Sequence, residues 1–260
     1  RRAARATVNF NASGITTDTK QITFQPGVIA NGSVSNINYV FSLPEAVSFN
    51  AFNGASRGVM VIYQGQYVTN SYVVDNNNPS ERYVLPNDGI DTSTISVKIR
   101  NSSSDNTTTS YELVDNIIGI TSTSNIYLLQ ETTDEKYELL FGDDVFGKKL
   151  ESGNIIDISY IKTNGKAGNG IENFNFAGLI KDEDGADETD FRVFLSANEK
   201  SANGDEIEPV ESVKYYAPRL YAAQHRAVTA NDYEAIIPSI YPNIESVSAY
   251  GGEDLHPPQF

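Results

Sequence analysis

The most informative absence in the sequence is cysteine, which does not occur among its 260 residues. Disulfide bridges and metal sites with thiolate ligands are therefore excluded. Tryptophan is also absent. The longest unbroken run of aliphatic or aromatic residues is Val59–Tyr63. Because a membrane-spanning helix needs about 20 apolar residues, the sequence predicts no such helix and no insertion into a membrane.

Basic residues are few. Lys and Arg number 19 against 34 Asp and Glu, which gives a formal net charge of -15. Proteins that bind nucleic acid gain affinity by neutralising phosphates with Lys and Arg, so this balance argues against a nucleic-acid partner. The acidic excess lies after residue 60, because the first 60 residues contain more bases than acids.

Residues 1–170 have the character of a β-rich region. Ile95–Arg100 and Ile156–Tyr160 alternate strictly between apolar and polar side chains, which is typical of strands with one buried face. Turn signals such as Asn87–Gly89 separate the candidate strands. Many short strands with frequent turns predict antiparallel, sandwich-like sheets. The region is either one core or a core interrupted by an inserted β domain around residues 56–135.

The remainder of the chain changes character twice. Residues 171–208 are strongly acidic and predict a loop or linker with short elements. Residues 209–260 predict a small α+β unit of two short helices and a strand, truncated at the C-terminus. Pro209 suits a first helical position, and Pro218 is expected to stop or kink that helix. The predicted fold class is therefore mainly β with a small α+β C-terminal unit.

Two local patterns mark the elements of this C-terminal unit. Thr229 and Asp232 fit a variant capping box at the start of the second helix. Pro238 limits that helix to about two turns. Ile244–Tyr250 then alternates as a strand.

Acidic side chains are the main candidates for chemistry. Asp143 and Asp144 could serve as paired carboxylates of a glycoside hydrolase, but neighbouring residues on a strand point to opposite faces. Their other interpretation is a hairpin turn in which short acidic side chains bond the backbone. Residues 182–190 could bind calcium, although the EF-hand pattern fails because Ala186 occupies a ligand position. A solvated acidic loop is the alternative.

A glycine-bounded bend joins two predicted strands at residues 137–160. The bend carries Phe141 and Gly142 on one side, and Phe146 and Gly147 on the other. We expect the two phenylalanines to pack into a core. We expect the two glycines to adopt positive φ.

This bend resembles the Phe-Gly-Asp-Gly-x-Phe-Gly hairpin of baseplate J-like proteins, the wedge subunits of contractile phage tails and related injection machines. Asp143 matches the motif, and the following strand ends at Tyr160, as is usual in that family. Asp144 stands where the family usually has glycine; aspartate tolerates positive φ better than most residues. A second block, Arg226–Glu234, resembles the family's Arg-Ala-Val-Thr-x-x-Asp-Tyr-Glu element. Together the two blocks cover roughly residues 137–250.

The resemblance implies a structural subunit and no enzyme activity, cofactor or small-molecule substrate. Members of that family join wedges into an inner ring around the hub and pass baseplate rearrangement to the sheath. The implied partners are a second copy of the chain and other wedge and hub-proximal proteins, in a virion assembled in the host cytoplasm. The residues carried over are scaffold residues: Phe141, Gly142, Asp143, Phe146, Gly147, Tyr160, Arg226, Thr229, Asp232 and Tyr233.

Two other functions remain open at this point. The first is a glycan-binding or glycan-cleaving β module of a phage tail fibre or spike. Its 15 tyrosines and 12 phenylalanines could stack on sugars, although the favoured stacking residue, tryptophan, is missing. The second is calcium-dependent adhesion, which depends only on the acidic stretch 182–190.

Overall fold

The computed structural model describes residues 1–78, 80–114, 119–132, 136–224, 226–241, 244, 246–252 and 256. They divide into two compact units, Arg1–Glu206 and Ile207–Phe260. Across the described residues, the first unit holds the strands and the second holds two helices, α1 Val210–Ala223 and α2 Ala230–Ile240. The predicted mainly β chain with two short C-terminal helices is confirmed.

The strands of the first unit are, in chain order, β1 Arg5–Ser13, β2 Gln21–Phe24, β3 Gly27–Val34, β4 Ile37–Leu43, β5 Val47–Phe52, β6 Ala55–Gln64, β7 Gln66–Val73, β8 Tyr83–Val84, β9 Ile90–Arg100, β10 Thr109–Leu113, β11 Ile126–Glu131, β12 Tyr137–Phe141, β13 Ile155–Lys162, β14 Phe174–Phe176, β15 Ile180–Lys181 and β16 Arg192–Ala197.

These strands form two sheets. The first has the order β14-β3-β4-β6-β5-β2-β15, with β1 pairing both β6 and β16. The second has the order β7-β13-β9-β10-β11-β12-β8. All ladders between the described strands are antiparallel except the pair β10–β11. Antiparallel sheets leave one face free for solvent, which matches the alternating sequence.

The core of the first sheet forms because alternate residues of its strands are apolar. In β1, Ala6, Val8, Phe10 and Ala12 are buried while the residues between them face outward. Three phenylalanines meet edge to face there: the ring centroid of Phe10 lies 4.8 Å from that of Phe24 and 4.6 Å from that of Phe49. Such pairs stabilise a core beyond their buried area.

The second sheet has its own core, formed on one of its faces. Ile156, Ile158 and Tyr160 of β13 are fully or almost fully buried. They pack with buried residues of β9 and β12, such as Val97 and Leu139. The period-two pattern of β13 is therefore the direct cause of its burial.

Side-chain hydrogen bonds join the two sheets. The buried amide of Gln64, at the end of β6, accepts from the Thr163 hydroxyl at 2.9 Å and from the Asn164 backbone N–H at 3.0 Å, and donates to the Asn164 side chain at 2.8 Å. The buried Asp91 carboxylate of β9 accepts from the Ala3 backbone N–H at 2.8 Å. Buried polar groups are stable only when paired in this way.

The two sheets use different parts of the chain. The second sheet is built from one continuous segment, 66–162, which lies in sequence between the two segments of the first, 5–64 and 174–197. The acidic stretch predicted as a loop or linker, 171–208, contributes β14, β15 and β16 to the first sheet. The domain bounds stated from the sequence stay predictions.

The structure of the C-terminal unit differs from three of the predictions, two of which concern prolines. Helix α1 runs through Pro218 to Ala223, so this proline does not end the helix. The Arg219 guanidinium donates to the Tyr215 carbonyl of the same helix at 2.7 Å. Helix α2 likewise continues past Pro238 to Ile240.

The strand predicted over Ile244–Tyr250 is not formed at residues 244 and 246–250, the part of this stretch that the structure describes. A strand needs a neighbour for its backbone groups. The Ala249 N–H instead donates to the Glu234 carboxylate at 3.0 Å. In the described parts of the chain, no helix is long and apolar enough to cross a membrane.

Candidate functional site

The acidic side chains of the bend after β12 are held by backbone donors. The Asp143 carboxylate accepts from the N–H groups of Phe146 at 2.9 Å and Val145 at 3.0 Å. These two hydrogen bonds lower the pKa of Asp143, because they favour its charged form. Asp144 has a φ of 70°, and its carboxylate accepts from the Lys149 N–H at 3.0 Å. Both carboxylates therefore stabilise the turn by accepting hydrogen bonds from its backbone.

The two glycines of the bend have different reasons to be glycine. Gly147 has a φ of 85°, as predicted, whereas Gly142 is not among the residues with positive φ. A Cβ on Gly142 would overlap the backbone of Gly147. The expectation of positive φ at Gly142 is therefore wrong, and the close approach of two backbones is what requires glycine there.

The two phenylalanines also differ. Phe141 packs against the second core, with its ring centroid 5.6 Å from Tyr83 and 5.9 Å from Tyr111. Phe146 is 50% exposed, so the prediction that it packs into a core is wrong. The neighbouring Val145 is 63% exposed, because the turn closed by Asp143 directs both residues outward.

Tyr160 anchors the strand that follows the bend. Its side chain is fully buried, and its hydroxyl accepts from the Asn70 amide at 2.8 Å and donates to the Asn87 carbonyl oxygen at 2.6 Å. Burial raises the pKa of Tyr160 to about 12. This side chain connects strand β13 to the loop that contains Asn87 and to the neighbouring strand β7.

The second motif block begins helix α2 of the C-terminal unit. The Thr229 hydroxyl accepts from the Asp232 N–H at 3.3 Å, and the Asp232 carboxylate accepts from the Thr229 N–H at 2.8 Å. The predicted capping box is thus formed. These bonds lower the pKa of Asp232. Tyr233 is 46% exposed, and the Arg226 guanidinium donates to the Gln224 side chain at 3.3 Å.

The scaffold role of the motif residues stays a prediction. The bend lies in the first unit and the capping box in the second. His225, which precedes the second block, lies outside the described residues, and His256 is exposed.

The acidic loop after β15 closes against the loop between β1 and β2. The buried Glu188 carboxylate accepts from the Thr19 hydroxyl at 2.6 Å and from the Thr16 hydroxyl at 3.0 Å. Glu183 accepts from the backbone N–H groups of Lys20 and Gln21. This contact could not be predicted from the sequence, because nothing in either segment specifies the other.

No cluster of three or more His, Asp or Glu side chains suited to a metal ion occurs among the described residues. Two large clefts of the first unit, of about 520 and 560 Å³, share Val61 and Tyr63 of β6 as lining residues. Neither is lined by Asp143 or Asp144.

Comparison with known proteins gives two matches. Residues 229–260 match the family described as baseplate structural protein gp6, C-terminal domain I. The baseplate wedge protein gp6 of Enterobacteria phage T4 is 28% identical over 138 residues, which cover 45% of this chain and 20% of that protein. The match thus spans about a fifth of the relative's length.

The second of the two sequence blocks lies partly inside the region that the family match covers. The resemblance to baseplate J-like proteins stays a prediction. Together the two matches show that parts of this chain are similar to baseplate proteins of the gp6 type.

Proposed function

We propose that the chain is part of a subunit that joins wedges of a contractile-tail baseplate into an inner ring around the hub and relays baseplate rearrangement to the sheath. The observation that carries this proposal is the 138-residue similarity to the T4 wedge protein gp6. The subunit acts by binding other copies of itself and neighbouring wedge and hub-proximal proteins. It needs no catalysis and no small-molecule substrate, and it resides in the tail baseplate after assembly in the host cytoplasm.

The geometry of the acidic residues supports a scaffold. Asp143, Asp144, Asp232 and Glu188 each accept hydrogen bonds from backbone or hydroxyl donors of the chain itself. A catalytic carboxylate would instead be directed into a cleft that holds a substrate. These acids stabilise loops and helix ends, as expected of a structural subunit.

The proposal is tested by wedge assembly with the full-length protein. We expect purified wedge components to form rings with the intact protein, and not with a version that lacks the region 1–260. Electron microscopy would show the difference. Rings of normal number and shape without this region would contradict the proposal. Turnover of a cell-surface polysaccharide that is lost in Asp143→Asn would favour the glycan module instead.

A further inference from the structure

Strand β7 forms an unusually long open edge of the second sheet. Its 8 residues, Gln66–Val73, pair with β13 on one side only. The end strands β8, β14 and β15 of the two sheets have only 2, 3 and 2 residues. The longer β16 lies beside β14 in the first sheet. An open edge carries unpaired N–H and C=O groups that can pair with another chain.

This edge lacks charge, proline, a bulge and short length, four features that commonly protect one. Natural edge strands are blunted by charged residues, proline, bulges or short length. The sequence of β7, Gln-Tyr-Val-Thr-Asn-Ser-Tyr-Val, has no charge, no proline and no glycine. Its ladder with β13 runs without a bulge. It is rich in the β-branched and aromatic residues that strands favour.

The register identifies the backbone groups that are free to pair. The Val74 N–H donates to the Asn154 carbonyl on the β13 side at 2.9 Å. The backbone N–H and C=O groups of successive residues point to opposite sides of an antiparallel strand. Those of the even residues of β7 therefore point towards β13, and those of the odd residues point away from it. The outward groups are therefore those of Tyr67, Thr69, Ser71 and Val73. Across the described residues, no backbone hydrogen bond from these groups reaches a strand other than β13.

The side chains of β7 are complementary to a second copy of the same strand. An antiparallel pair with its twofold axis at Asn70 places Tyr67 opposite Val73 and Thr69 opposite Ser71. It also places Val68 opposite Tyr72. Aromatic–β-branched pairs and Thr–Ser pairs are among those that stabilise neighbouring strands. In this register the odd residues form the hydrogen-bonded pairs, in agreement with their outward direction.

Strand β7 itself contains no charged residue that would oppose this pairing. The Asp157 carboxylate beside the edge accepts from the Ser71 hydroxyl at 2.6 Å and from the Arg100 guanidinium at 2.6 Å. Thr69 and Ser71 are exposed, and Val73 is 63% exposed. Pairing would therefore bury an exposed valine without bringing two uncompensated carboxylates together.

We propose that two copies of this chain associate through β7, antiparallel about Asn70, so that their second sheets become one continuous sheet. The interface is isologous, since the same strand serves both partners. It deepens the proposed function, on which it rests for its biological role, by naming a surface through which copies of the subunit join.

The first test compares two variants of the 260-residue chain by sedimentation equilibrium. Thr69→Pro removes an N–H that faces away from β13, a position where an edge strand tolerates proline. Thr69→Ala keeps that N–H and is the matched control. We expect a dimer whose dissociation constant rises at least tenfold in Thr69→Pro and stays close to the original in Thr69→Ala. A chain that is monomeric at about 1 mM, the weak end of specific association, overturns the proposal.

The second test uses the absence of cysteine and does not depend on proline. Cα atoms of opposite residues in an antiparallel pair are about 4.5–5.5 Å apart, within the range that a disulfide spans. We expect a mixture of Thr69→Cys and Ser71→Cys chains to form a cross-linked dimer on mild oxidation. A mixture of Thr69→Cys and Val73→Cys should not, because these residues are not opposite in this register.

Cross-linking that favours the Thr69 and Val73 mixture, or that is equal in both mixtures, overturns the register about Asn70. Association that is unchanged in Thr69→Pro overturns the edge as the interface. Both tests use the isolated chain, whereas the proposed function is tested by ring assembly. A failure of the interface is therefore distinguishable from a failure of the wedge role.

Discussion

At the scale of single residues, one carboxylate can serve either catalysis or structure, and its hydrogen bonds decide between the two. Asp143 accepts two backbone N–H groups of its own turn, and Asp232 accepts the N–H groups of Thr229 and Val228. Both have pKa values below the ordinary one because those donors favour the anion. Each therefore stabilises local structure only while it is charged.

The residue-scale prediction concerns pH. A carboxyl group with a pKa depressed by folding contributes stability above its unfolded pKa of about 3.9, and loses it as pH falls through the folded value. We expect the free energy of unfolding to decrease below about pH 4, and less steeply in Asp143→Asn than in the original chain. Urea unfolding monitored by near-ultraviolet circular dichroism at several pH values measures this.

Asp18→Asn, an exposed aspartate outside this turn, is the matched control for Asp143→Asn. If the free energy of unfolding depended on pH equally in Asp143→Asn and in the original chain, the stabilising role of the charged Asp143 would be contradicted. A carbon NMR titration of the Asp143 carboxyl that gives an ordinary pKa would contradict it independently.

At the scale of elements, short-range signals specify where helix α2 begins. The capping box needs only Thr229 and a carboxylate three residues later, so its geometry is determined within one turn. Prolines were less informative: α1 and α2 both continue past theirs. A proline removes one hydrogen bond, and the neighbouring turns of a helix can still hold the residues that follow it.

We expect Thr229→Ala to destabilise the first turn of α2 by about 1 kcal/mol, because the Asp232 N–H loses one of its two acceptors, the Thr229 hydroxyl, and keeps only the Thr229 carbonyl. Native-state hydrogen exchange at the Tyr233 and Glu234 amides should then become about fivefold faster. Thr229→Ser, which retains the hydroxyl, should exchange as the original chain does. Unchanged exchange in Thr229→Ala would show that the cap contributes nothing to this helix.

At the scale of the whole molecule, the two sheets of the first unit depend on a few buried polar contacts between them. Gln64 lies at the end of strand β6 of the first sheet, and its amide contacts Thr163 and Asn164 just after strand β13 of the second sheet. The Gln64 side chain also lies where a Cβ on Gly168 would be, so the site is closely packed. This contact helps to fix how one sheet lies against the other.

We expect Gln64→Met, which keeps the volume but removes these hydrogen bonds, to lower the free energy of unfolding by about 1–3 kcal/mol. The buried Thr163 hydroxyl would lose its acceptor. Gln66→Met, at an exposed position two residues later, is the matched control and should change it by less than about 0.5 kcal/mol. Urea unfolding of the original chain, Gln64→Met and Gln66→Met measures these differences. Equal urea midpoints would count against a stabilising role for the Gln64 hydrogen bonds.

The sequence by itself determined the features that arise within a few neighbouring residues. Alternating side chains gave the buried faces of β9 and β13, and a threonine and an aspartate three residues apart gave the cap of α2. Tertiary structure alone decided which strands are neighbours, why Gly142 must be glycine and why Phe146 is exposed. It also joined Thr16 to Glu188, residues 172 positions apart. Local patterns record the period of a strand or helix, whereas the choice among distant partners depends on packing that no short segment contains.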